Sequence, residues 1–140
     1  MDQVIYYSRS GNTKKLADAM GEALGVKPVE VANAKIDPAA CVVFLGSGRY
    51  AGTPGQEMMK FIETNDFKGQ KVALFGTYWL AGLNKGREIE TTTKALEQKG
   101  AIVVGDYRCP GKFIVFNLGR PNARDLEGAR GFAKKMKSIS

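Results

Sequence analysis

Apolar and polar positions switch repeatedly between a period of two and a period near 3.6 along the 140 residues. Val4–Tyr7 forms a short apolar run suited to a strand, and Leu16, Met20, Ala23 and Leu24 then recur at helical spacing until Gly25 stops them. Val26–Val31 reads as a weaker second strand at a sheet edge, because Pro28 cannot donate to a ladder. Cys41–Leu45 is apolar throughout, as expected of a strand buried on both faces and ended by Gly46. Thr53-Pro54-Gly55-Gln56 has the pattern of a capping box with proline at the first helical position, and it opens a helix carrying Met58, Met59, Phe61 and Ile62. Val72–Phe75 predicts a fourth strand followed by a long loop, Gly76–Gly86. Ile89, Thr93 and Leu96 mark a helix closed by Gly100, and Ala101–Val104 a fifth strand. In the last helix Leu126, Ala129, Ala133 and Met136 recur, with Asn122 as N-cap. Asp125 and Glu127 at its start and Lys134, Lys135 and Lys137 at its end suit the helix dipole. Phe113–Leu118 is apolar but unassigned, an extra strand or a flap over the sheet edge.

Five strands alternating with helices predict an α/β fold: a parallel sheet with helices on both faces and right-handed crossovers, in one domain spanning 1–140. Such sheets bind ligands at the carboxyl ends of their strands, where the winding direction reverses. The loops after strands one, three and four meet there: Ser8–Thr13, Ser47–Gly52 and Thr77–Gly86. The first of them is made for an anion. Loop N–H groups, the hydroxyls of Ser8, Ser10 and Thr13 and the positive end of the following helix can converge on one phosphate, while Gly11 keeps a Cβ out of the way. It is no Walker loop, since GxxxxGK[ST] is absent, and neither cysteine stands five residues before an arginine as a tyrosine-phosphatase loop requires. A phosphoacceptor receiver needs acidic residues where this chain has Ser8 and Gly46–Ser47.

The composition narrows the chemistry further. No apolar run approaches the roughly 20 residues of a membrane span, so no membrane insertion is expected. Met1-Asp2-Gln3 enters a strand at once, leaving no room for a secretion leader, and a cytoplasmic location is expected. The absence of histidine removes imidazole catalysis and ordinary zinc sites, and Cys41 and Cys109 are expected as two thiols. A net charge of +7 favours acidic partners through attraction that salt weakens. Its basic residues are spread along the chain without the stacking aromatics of an RNA-binding sheet, so no nucleic-acid binding is expected. The methionines at helical spacing, Met20, Met58, Met59 and Met136, are expected as core filler.

Val4-Ile5-Tyr6-Tyr7-Ser8-Arg9-Ser10-Gly11-Asn12-Thr13-Lys14-Lys15-Leu16-Ala17 resembles the phosphate-loop signature of the flavodoxin family, and the element order and length extend the resemblance over the whole chain. It is similar to short-chain members, which lack the insertion that splits the last strand. The resemblance implies a flavodoxin-like, doubly wound five-stranded parallel sheet of order 2-1-3-4-5 and FMN as cofactor. It assigns Ser8, Arg9, Ser10, Gly11, Asn12 and Thr13 to the FMN phosphate. Ser47, Gly48, Arg49 and Tyr50 fall to one side of the flavin ring, and Thr77, Tyr78, Trp79, Leu80, Ala81 and Gly82 to the other. Tyr50 or Trp79 is the candidate stacker.

Two departures from the family pattern stand out. The chain is basic where flavodoxins are typically acidic, with Arg49, Lys85 and Arg87 in or beside the ring loops and Arg108 and Lys112 after strand five, and the third loop lacks the usual acidic run. With no acid–base pair for substrate chemistry, the expected role is an electron carrier between redox proteins, including an acidic, ferredoxin-like one, acting as a monomer or weak dimer. The alternatives are an FMN-dependent oxidoreductase acting on a quinone, porphyrinogen or other small molecule, and a scaffold that has lost its flavin.

Overall fold

A computed structural model describes residues 1–8, 11–47, 56–78, 87–110 and 121–138. The elements are β1 (Gln3–Tyr7), α1 (Asn12–Leu24), β2 (Val29–Glu30), a 3-10 turn (Val31–Asn33), β3 (Val43–Ser47), α2 (Gln56–Thr64), β4 (Lys71–Tyr78), α3 (Arg87–Gln98), β5 (Ile102–Pro110) and α4 (Ala123–Lys137). The five strands are all parallel, in the order β2-β1-β3-β4-β5. The order reverses between β1 and β3, as expected.

Side-chain alternation along the strands divides the core into two layers. Val4, Phe44, Ala73 and Phe75 face α1 and α4, while Ile5, Val43, Leu45, Val72 and Leu74 face the layer that holds α2 residues Met58, Phe61 and Ile62 and α3 residue Leu96. Both layers are sealed: Phe44, Leu16, Phe67 and Leu96 are fully buried. Met20, Met58 and Met136 are core residues and Met59 packs against the core, which is the filler role expected of them. Gly25 ends α1 in the left-handed conformation (φ 72°), and its N–H bonds the Gly21 carbonyl. Asn122 caps α4 in a reciprocal box, its side chain accepting from the Asp125 N–H at 3.0 Å while the Asp125 carboxylate accepts from the Asn122 N–H at 2.8 Å.

Four boundaries differ from the sequence expectation. The third strand starts at Val43 and runs through Gly46 to Ser47, so Gly46 does not end it. The fourth continues through Gly76 and Thr77 to Tyr78, where a loop was expected from Gly76. The physical reason is the same in both. These glycines sit where two strands press together: a Cβ on Gly46 would lie 2.0 Å from the Phe75 ring, and one on Gly76 would lie 2.3 Å from the Ser47 carbonyl oxygen. The second strand shrinks to Val29–Glu30, consistent with an edge next to Pro28. The fifth extends from Ile102 to Pro110, so Arg108 and Cys109 are strand residues. Its register slips by one between Val72 and Ala73, which pair with Val103 and Gly105 and leave Val104 as an extra residue. That bulge turns Tyr107 and Cys109 toward the α1/α4 layer. The expected cap at 53–55 and the segment 113–118 lie outside the described residues.

Candidate functional site

At the carboxyl ends of β1, β3 and β4, register brings three of the sequence-selected segments side by side. Tyr7 pairs with Ser47, and Gly46 with Phe75 two residues before Thr77. β1 leads through Ser8 to α1, whose first turn points back at the same spot.

Gly11 occupies the N-cap of α1 with φ 89°, a left-handed conformation open to glycine, and its N–H donates to the Ser8 hydroxyl oxygen at 3.0 Å. Ser8 thus serves as an acceptor inside the turn while its own proton can still be given to a ligand. Gly11 has no side chain with which to cap the helix, and no acidic residue stands in the first turn. The contrast with α4 is instructive, for there a side chain and a carboxylate close the helix start. At α1 the first-turn N–H groups and the dipole are aimed at the end of the sheet, and the turn itself carries no acidic residue.

Asn12 and Thr13 are buried in that first turn, Thr13 only 1% exposed. The Thr13 hydroxyl lies 3.1 Å from the Thr77 hydroxyl, itself buried at the end of β4. Next to Thr13 in α1, Lys14 and Lys15 are exposed. Lys14 bonds Asp18 at 3.0 Å, and that hydrogen bond, with the attraction of the carboxylate, raises its pKa above the ordinary lysine value.

The structure therefore brings Ser8, Gly11, Asn12, Thr13, Ser47 and Thr77 to one end of the sheet. Tyr78 is placed by its backbone as the last residue of β4. Arg9, Ser10, Gly48, Arg49, Tyr50, Trp79, Leu80, Ala81 and Gly82 lie outside the described residues. One link escaped the sequence reading, which treated Thr13 and Thr77 as members of separate loops. A signal for it exists, because Ala73, Phe75 and Thr77 share one face of β4 by simple alternation, and that face looks at α1.

Hydroxyl and amide donors, a left-handed glycine and an uncapped helix start without a carboxylate suit the phosphate monoester of a mononucleotide. Together with a 2-1-3-4-5 sheet, they are the features of the doubly wound mononucleotide-binding class, whose ligands lie at the switch point, here between β1 and β3, a rule of which flavodoxins are themselves an example. Comparison with known proteins narrows the class. Residues 3–115 match the model of the flavodoxin domain. A flavodoxin from Maridesulfovibrio salexigens is 27% identical over an alignment of 124 residues, covering 74% of this chain and 80% of that one. Among solved structures, a flavodoxin from the domain Archaea superposes with a TM-score of 0.81 at 22% identity, covering 99% of this chain and 96% of that one. Oxidised flavodoxin 2 from Bacillus cereus gives 0.78 at 23% identity, covering 99% of each chain. The chain belongs to the flavodoxin family. Its cofactor is FMN and its role, at the level the family defines, is electron transfer.

Among the described residues no group of three His, Cys, Asp or Glu side chains could hold a metal ion, and no helix is long and apolar enough to cross a membrane. Cys41 is exposed and Cys109 buried, and neither is in a disulfide.

Proposed function

We propose that the chain is a cytoplasmic one-domain flavodoxin, residues 1–140, that holds FMN by its phosphate at the Ser8–Thr13 turn and carries electrons between protein partners. The observation that carries this reading is the α1 start: a left-handed Gly11 bonded to Ser8, with buried Asn12 and Thr13 and no acidic residue in the turn. Bound FMN supplies the redox chemistry, accepting and releasing electrons at its ring. The chain's part is to anchor and orient it. Ser8, Arg9, Ser10, Gly11, Asn12 and Thr13 hold the phosphate. Ser47, Gly48, Arg49 and Tyr50 line one side of the ring, and Thr77, Tyr78, Trp79, Leu80, Ala81 and Gly82 the other, with Tyr50 or Trp79 stacking on it.

The partner is acidic, in the manner of a ferredoxin-like protein. The net charge of +7 supports this, as do the exposed Lys14 and Lys15 beside the phosphate turn. The test has two parts. Purified protein is yellow, and the apoprotein binds FMN far more tightly than riboflavin, which has no phosphate. Equal affinity for the two flavins overturns the phosphate assignment. In the second part, the association rate with an acidic redox protein falls as salt rises, and a salt-independent rate overturns the partner assignment. Sustained NAD(P)H-dependent reduction of a quinone by the protein alone would instead identify an FMN oxidoreductase.

A further inference from the structure

The buried contact between Thr13 and Thr77 joins residues 64 positions apart, one in the first turn of α1 and one at the end of β4. Its geometry is set by the fold. Alternation along β4 turns Thr77 toward α1, on the face that carries Ala73 and Phe75. Gly76 lets β4 press against the Ser47 carbonyl just before it, and Cys109 of β5 pairs with Thr77 from the other side. A β-branched side chain held there has little rotamer freedom, so its hydroxyl stays directed at Thr13.

As the pair stands, either hydroxyl can be the donor. We propose that Thr77 is a positioning residue for the phosphate grip: it donates its proton to the Thr13 oxygen and thereby commits the Thr13 proton to the FMN phosphate. This rests on the reading that the phosphate sits at the start of α1. A phosphate monoester dianion offers only acceptors, so a threonine hydroxyl beside it must donate. Thr13 has one proton to give, and once it is given, the oxygen's lone pairs call for a donor. At 1% exposure Thr13 has little access to water for that purpose, whereas Thr77 is 3.1 Å away. Two aligned hydroxyls in a dry site polarise each other, so the outer one strengthens the inner one's bond to the anion. No covalent step is involved. The same link ties phosphate occupancy to the end of β4, from which the proposed ring segment departs.

The experiment titrates apoprotein with FMN and with riboflavin for the natural chain, Thr77→Val, Thr77→Ser, Thr13→Val and the Thr13→Val/Thr77→Val double variant. Thr77→Val keeps the shape and removes the hydroxyl. It is expected to weaken FMN about tenfold, the upper end of what one buried hydrogen bond contributes, and to weaken riboflavin, which has the ring but no phosphate, much less. Thr77→Ser restores FMN affinity, and in the double variant the second substitution adds nothing to the loss of FMN-over-riboflavin preference seen in Thr13→Val, because Thr77 reaches the phosphate only through Thr13. A merely structural Thr77 predicts something else: FMN and riboflavin weaken alike, and the two substitutions add. Either of those results overturns the proposal, as does an unchanged FMN affinity in Thr77→Val. If that variant does not fold, Thr77→Ala is read on the same two ligands. Should the natural chain itself fail to prefer FMN over riboflavin, the phosphate reading fails, and that outcome is distinct from every result that counts against Thr77 alone.

Discussion

Replacing Gly46 by alanine should destabilise the protein at the carboxyl end of β3. A Cβ at this position would lie 2.0, 2.2 and 2.5 Å from three atoms of the Phe75 ring, which pairs with Gly46 across β3 and β4 and is 2% exposed. An ordinary carbon contact is about 3.6 Å, so the ring must move by about 1.5 Å. It cannot do so freely, since Phe75 belongs to the core beneath α1 and α4 with Val4, Leu16 and Phe44. Overpacking of this kind costs about 2 kcal/mol. With an unfolding entropy of about 2.1 cal/mol/K per residue, a chain of this length then loses about 7 °C in Tm. The assay is urea and thermal unfolding of the apoprotein, followed by FMN titration, since Ser47 and Thr77 flank the displaced ring. Phe75→Leu vacates the space that the new methyl needs, so the double variant should be more stable than the sum of the single effects by about 1 kcal/mol. An unchanged midpoint for Gly46→Ala, or strict additivity with Phe75→Leu, refutes the close-approach argument.

Three further outcomes are expected. Asn122→Ala removes the α4 capping box and should cost about 1 kcal/mol, read as a lower urea midpoint with an unchanged slope. Gly128→Ala places a methyl 2.4 Å from the Tyr107 hydroxyl, which donates to the Asp125 carbonyl at 2.8 Å, and should lower stability by about 1–3 kcal/mol; in a Tyr107→Phe background, which lacks that oxygen, the same substitution should cost less. FMN affinity should fall as pH drops through the second phosphate ionisation, at about 6, while riboflavin affinity should not. The sign follows because the dianion binds an uncapped helix start better than the monoanion, and the chain has no histidine to titrate in the same range. Parallel pH curves for the two flavins would refute it.

Much of this molecule can be read from residue order alone. Period-two and period-3.6 patterning locates all five strands and four helices, because each strand or helix must bury its own apolar side and the pattern is local. The Asn122 cap and the αL stop at Gly25 are equally local, being chemistry within one turn. So is the candidate phosphate turn, where hydroxyls, glycine and a helix start follow one another within six residues.

What depended on tertiary structure involves two distant segments at once. Gly46 and Gly76 look like terminators in one dimension. They are strand residues because the neighbouring strand occupies the volume a side chain would need, and only packing discloses that. The bulge at Val104 reverses which residues of β5 face α4, so Tyr107 turns inward through a register slip invisible in an apolar run. The Thr13–Thr77 contact spans 64 residues, and its partners are chosen by strand alternation and by the docking of α1 over β4 together. Local sequence determined which elements and which donors exist. Three-dimensional packing decided which donors share a site, because through-space proximity follows from sheet order and register rather than from spacing along the chain.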